Sequence, residues 1–300
     1  MPLHTYIQEY FTKYPEARIK GVQNQPIIKR PKMYKVEKVA AKDGETNIPI
    51  RIYTPILEEH ELEHYYPIFI YLHAGGYSNN GFESHDVSCR LISSLCGSKV
   101  ITVDYELGNK KISDTIQDCY ASVNWIIEHA QNYGGRSDDI SLGGASIGAY
   151  FASVITLKSI ITGDFNLTKQ VLHYPIIDLS EEIQDSPYLS RKMYNAKYGV
   201  DLATHHTHLI HDEQKEHLNI SPLNVKQTDL AKMPKTLIFT AEYDPLCDEG
   251  ELFADTLKEA GAQVKLVRFD GNIHGFMQSF PGSPDYMRGH ELTAEFLANE

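Results

Sequence analysis

The stretch "ISLGGASIGAYFASVITLKSII", residues 140–161, constrains this chain more than any other. A short β-branched run ends at Gly143, a turn of small residues carries Ser146, and a long apolar segment follows. A strand that bends directly into a helix needs a sheet edge to leave and a helical layer to enter, so the segment asks for an α/β architecture. Gly144 and Gly148 flank Ser146 in the pattern G-x-S-x-G. Such glycines let the backbone bend and keep side chains away from the serine, raising its Oγ at the carboxyl edge of the sheet. A glycine turn with an inert serine is the alternative, and the remaining sequence decides between the two.

Seven more short runs rich in β-branched and aromatic residues surround that segment: "YKVEKVAA", "NIPIRIY", "PIFIYLH", "VITVDY", "QVLHYP", "TLIFTAE" and "VKLVRF". The first two flank Asp43-Gly44, a hairpin signal, and the later ones are separated by helix-length segments. About eight strands in a mostly parallel sheet with helices on both faces is the expected architecture. Ile116, Tyr120, Val123, Ile126, Ile127 and Ala130 share one helical face, closed by Gly134-Gly135. Leu3, Tyr6, Ile7, Tyr10, Phe11 and Tyr14 give an amphipathic N-terminal helix before Pro15. Between Leu179 and Pro222 the strand pattern lapses into a polar, His-rich stretch, expected to lie over the sheet. Residues 1–300 are expected to form a single domain, with a helical cap made from about residues 1–30 and 180–222.

The partners of a serine nucleophile should lie downstream, because a hydroxyl needs a base, and the base an orienting acid. Asp244 follows the run "TLIFTAE", and His274 follows "VKLVRF" in a loop ended by Gly275. The order Ser146, Asp244, His274 is that of α/β-hydrolases. Asp104, Asp178 and Asp270 are competing carboxylates, but only Asp244 combines a strand end with this order. Acyl transfer also needs donors where charge builds on the carbonyl oxygen. "YLHAGGY" offers the N–H groups of Gly75 and Gly76 with His73 in support, and the start of the helix offers that of Ile147.

"HAGGY", "VDYELG", "GGASIGA", "AEYDPLCDEG" and "NIHGF" together resemble the hormone-sensitive-lipase-like group of α/β-hydrolase esterases. The resemblance implies an α/β-hydrolase fold with a cap. It also implies a carboxylesterase in which Ser146 attacks, His274 transfers protons, Asp244 orients His274, and Gly75, Gly76 and Ile147 hold the oxyanion. No metal or organic cofactor is expected, the partner is a small-molecule ester, and the resemblance leaves room for a homodimer. Amidase or acyltransferase chemistry on the same residues, or a non-catalytic ligand-binding homologue, are the alternatives. The chain departs from the family at Ala74, where a glycine is usual, at Ala145, where an aspartate is usual, and at Glu106-Leu107-Gly108-Asn109, which replaces an Arg-Leu-Ala-Pro-Glu run.

Composition excludes other classes. The 28 Lys plus Arg against 40 Asp plus Glu give a formal charge of -12, which repels nucleic acid and anionic lipid. Cys89, Cys96, Cys119 and Cys247 show neither CxxC spacing nor a disulfide framework, and no stretch has the length of a membrane span, so a cytoplasmic protein is expected. His60-Glu61-Leu62-Glu63-His64 matches a zinc-protease signature, but it sits in a charged connector between Pro55 and Pro67. His205, His208 and His211 recur at three-residue steps and read as a solvated surface rather than a metal clasp.

Overall fold

The computed structural model describes residues 2–20, 22, 28–43, 46–57, 65–75, 81–106, 110–179, 185–198, 200–202 and 221–299. Eight strands form one sheet: β1 (Lys35–Asp43), β2 (Thr46–Thr54), β3 (Tyr66–Leu72), β4 (Lys99–Val103), β5 (Gly135–Ala145), β6 (Lys169–His173), β7 (Lys235–Ala241) and β8 (Val264–Phe269). Their order is β1-β2-β4-β3-β5-β6-β7-β8. The expected hairpin pairs β1 with β2, Asp43 standing opposite Thr46, and β2 runs antiparallel to β4. Every later neighbour pair is parallel.

Alternation along the strands explains the layers, since successive side chains leave opposite faces. In β3, Ile68, Ile70 and Leu72 join a core with Val123 and Ile126 of helix Ile112–His129 and Val154 and Ile155 of helix Ile147–Thr162. Phe69 and Tyr71 point the other way, into a core with Ile92 of helix Asp86–Cys96 and Leu297 of helix Pro284–Ala298. Burial on both faces is why these strands read as unbroken apolar runs. Helix Ile147–Thr162 is buried along nearly its whole length and ends at Gly163, whose φ of 76° is left-handed.

Two elements differ from expectation. β5 begins at Gly135 rather than near Ile140, because Gly135 pairs with Tyr66 before the register shifts at Ile68. Its first half is polar and exposed, so periodicity does not mark it. The helix from Ile112 tightens into a 3-10 turn, Ala130–Tyr133, before Gly134 ends it at φ 66°.

β3 is the strand at which the chain changes direction across the sheet, with β4 added on one side and β5 on the other. Loops leaving the carboxyl ends of such a sheet diverge there and open a crevice. Leu72 pairs with Gly144, so the turn after β3 and the turn after β5 are neighbours. Helix Thr5–Lys13 packs Ile7, Tyr10 and Phe11 inward. The segment 185–198 carries a short helix, Leu189–Tyr194, and no strand. These two peripheral pieces touch: Phe11 stacks on Tyr198 at 6.1 Å, and the Arg18 guanidinium lies 4.7 Å from the Phe11 ring. Most of the expected cap insertion, at 180–184 and 203–220, lies outside the described residues.

Candidate active site

Ser146 has φ 55° and ψ −118°, a left-handed conformation that costs a non-glycine residue about 1–3 kcal/mol. Its neighbours enforce the bend. The Ser146 N–H donates to the His173 carbonyl at 2.9 Å, and its own carbonyl accepts from Ala149, Tyr150 and Ile176. Both pattern glycines are needed for contact with β3. A Cβ at Gly144 would stand 2.5 Å from the Leu72 carbonyl oxygen, and one at Gly148 would stand 2.5 Å from that of His73. The glycines thus press the serine turn against the turn after β3. Ala145 is wholly buried opposite His173 at the end of β5, among aromatic neighbours.

Asp244 follows β7 by three residues and is 1% exposed. Its Oδ1 accepts from the Leu246 N–H at 2.9 Å, a local turn that fixes the carboxylate, while Oδ2 faces His274 Nδ1 at 2.7 Å. His274 follows β8; the Tyr243 N–H donates to the Asn272 carbonyl at 2.9 Å and ties the two loops together. Gly275, at φ 69°, turns the chain into the short helix Phe276–Ser279. His274 Nε2 lies 3.0 Å from Ser146 Oγ. A carboxylate only accepts, so Nδ1 carries the ring proton and Nε2 is left to accept the serine hydroxyl. The imidazole is 13% exposed and stands edge-on to Tyr174 at 5.1 Å. Two of the competing carboxylates have other partners: Asp270 pairs with Arg268 at 3.2 Å, and the Asp178 side chain hydrogen-bonds to Tyr188.

His73 and Gly75 lie in the turn after β3, Gly75 partly exposed, whereas Gly76 lies outside the described residues. Ile147 is the first residue of its helix, where an N–H has no intrahelical acceptor. His73 stacks on Tyr105 at 4.2 Å, the Tyr105 hydroxyl donates to the His73 carbonyl, and burial holds the imidazole below its usual range. Residues 60–64 and 205–211, the two histidine-rich stretches, and 107–109 of the Glu106-Asn109 departure also lie outside the described residues. Among the described residues no three His, Cys, Asp or Glu side chains are grouped to hold a metal, and no helix is long and apolar enough to cross a membrane.

Sequence reading missed His85, Gln278 and Tyr174. His85 accepts from the Ala74 N–H, Gln278 bonds to His85, and Tyr174 donates to Gln278 Oε1 at 3.2 Å. It also missed what anchors the Leu189–Tyr194 helix. Arg191 and Glu249, both fully buried, form an ion pair at 2.5 Å, and the Ser190 N–H donates to Asp248 at 2.9 Å. Burial pushes the Glu249 carboxyl up to about 7, against the pull of Arg191 and the Ile177 N–H.

A family model described as the alpha/beta hydrolase fold matches residues 69–278. Carboxylesterase NlhH of Mycobacterium tuberculosis (strain ATCC 25618 / H37Rv) is 31% identical over 273 residues, covering 87% of this chain and 81% of that protein. An arylesterase of Saccharolobus solfataricus is 30% identical over 280 residues, covering 91% and 85%. The solved structure of a hyperthermophilic esterase from the archaeon Pyrobaculum calidifontis matches at a TM-score of 0.86 with 25% identity, covering 99% of this chain and 98% of that one. By fold, sequence and extent of match, the chain belongs to the hormone-sensitive-lipase-like family of α/β-hydrolases.

Proposed function

We propose that the protein is a serine carboxylesterase acting on small to medium acyl esters through a covalent acyl-enzyme. The reading rests on one observation, the hydrogen-bonded chain from Ser146 Oγ through His274 to the buried Asp244 carboxylate, at 3.0 and 2.7 Å. His274 takes the hydroxyl proton as Ser146 Oγ bonds to the ester carbonyl carbon. The electron pair of the carbonyl moves onto oxygen, where the N–H groups of Gly75, Gly76 and Ile147 receive it, with His73 supporting their turn. His274 then returns the proton to the departing alcohol. Water, deprotonated by the same imidazole, attacks the acyl-enzyme and frees the acid. Asp244 stays ionised and stabilises the imidazolium formed in each half.

The named activities of the relatives support ester hydrolysis as the reaction. The contacts between helix Thr5–Lys13 and the 185–198 segment support a cap assembled from both ends of the expected pair. Tyr194, Tyr198 and Tyr243 cluster there with centroids 5.3 and 5.8 Å apart, a surface suited to an apolar acyl or aryl group. Four free thiols support a cytoplasmic site of action.

The test is a chain-length series of p-nitrophenyl esters on the parent and Ser146→Ala proteins. Turnover should peak at short to medium chains, and Ser146→Ala should lose on the order of 10⁶ in kcat. A Ser146→Ala protein that hydrolyses p-nitrophenyl acetate at the parental rate would remove the nucleophile assignment.

A further inference from the structure

We propose that His85 is a positioning residue for the turn that follows β3, held as the Nδ1–H tautomer by the Ala74 N–H, with the Gln278 amide as a second donor to the same nitrogen. The kinetic part of this inference rests on the serine esterase reading; the tautomer itself does not.

One donor in the cluster is unambiguous. A backbone N–H only donates, so the Ala74 N–H at 3.4 Å requires His85 Nε2 to be unprotonated. The ring proton therefore sits on Nδ1 and is donated to Ser84 Oγ at 2.8 Å. The Gln278 side-chain nitrogen approaches the same Nε2, whose single lone pair its NH2 shares with the Ala74 N–H. That orientation turns Gln278 Oε1 toward Tyr174, whose hydroxyl donates at 3.2 Å. Each assignment follows from the one before, and the chain begins at a backbone group whose role does not change with pH.

The chain links the two moving parts of the proposed reaction. Ala74 immediately precedes Gly75, a donor to the oxyanion, and Gln278 lies four residues after His274, whose ring rests on Tyr174. Burial keeps the His85 imidazole neutral, with the His73 ring at 6.2 Å and the Tyr71 ring at 5.7 Å packed against it. No carboxylate bonds to either ring nitrogen among the described residues. A protonated or Nε2–H ring would set a donor against the Ala74 N–H and push the turn away from the serine. A misplacement of about 1 Å in such a site costs on the order of 10²-fold in rate.

Two substitutions separate tautomer control from packing. Gln278→Glu keeps the shape but sets a carboxylate at Nε2, drawing the proton there. Gln278→Met removes the amide but leaves Nε2 free to accept from Ala74. With p-nitrophenyl butyrate at pH 8, Gln278→Glu should lose on the order of 10- to 100-fold in kcat with KM within about 3-fold, and Gln278→Met should lose clearly less. In ¹⁵N-histidine-labelled parent protein, the ring signal lost in His85→Asn, or in His85→Gln if the first does not fold, should be the Nδ1–H tautomer. In Gln278→Glu it should become Nε2–H or doubly protonated. An Nε2–H ring in the parent would overturn the proposal, as would a Gln278→Met loss equal to that of Gln278→Glu. Ser146→Ala in the same assay reports the esterase reading separately, because the ring spectrum decides the tautomer whether or not the protein turns over ester.

Discussion

His274 and His85 each have both ring nitrogens engaged, but with different kinds of partner. Behind His274 Nδ1 stands the Asp244 carboxylate at 2.7 Å, and before Nε2 stands a hydroxyl at 3.0 Å. Behind His85 Nδ1 stands the Ser84 hydroxyl, and before Nε2 stand a backbone N–H and an amide. A carboxylate stabilises the imidazolium that must form twice in each proposed turnover, whereas a hydroxyl and two neutral donors give it no such support. His274 is partly open to the crevice, and His85 is 3% exposed. Partner chemistry, more than position, divides a histidine proposed to move protons from one proposed to hold a turn.

The largest effect is expected when His274 is given a neutral partner. Asp244→Asn keeps the size of the side chain but can donate to Nδ1, which puts the ring proton on Nε2, facing Ser146. The expected loss is about 10⁴-fold in kcat, with KM little changed, read with p-nitrophenyl esters. A loss below about tenfold would show that Asp244 does not set the tautomer of His274.

A smaller effect is expected from the buried, neutral histidines. Burial pushes His173 down to about 3 and His290 down to about 4, and His85 moves the same way. Unfolded imidazoles titrate near 6.5, so below that pH the unfolded chain binds protons that the folded one refuses. The stabilisation is complete above about pH 6.5 and is lost as pH falls toward the folded values. Each such histidine removes about 2 kcal/mol by pH 5. Urea unfolding at pH 7.5 and 5.0 should therefore show a pH-dependent loss about 2 kcal/mol smaller in His290→Gln than in the parent. Equal losses in the two proteins would mean that His290 is protonated when folded.

Much of this arrangement is legible in the sequence because each part is marked locally. The strands are marked by apolar runs, the serine turn by Gly144 and Gly148, and Asp244 and His274 by their places just past β7 and β8. The first half of β5 is not marked, because Arg136, Ser137 and Asp138 are exposed and carry no apolar alternation. Nor is the His85 chain, since its bonds span 11, 193 and 104 residues and join side chains with no shared motif. Arg191 and Glu249 stand 58 residues apart, in segments that read separately as polar cap and helix start. Long-range polar pairs leave no periodic trace, and their legibility ends where the local signals end.

Direct trapping reads out the proposed covalent role of Ser146. Incubation with an ethyl p-nitrophenyl alkylphosphonate, followed by intact mass measurement and peptide mapping, should show one equivalent of phosphonyl adduct on Ser146, with p-nitrophenol released and no adduct on Ser146→Ala. Hydrolysis of p-nitrophenyl acetate by a parent protein that takes up no adduct, or takes it up at another residue, would rule out Ser146 as the nucleophile.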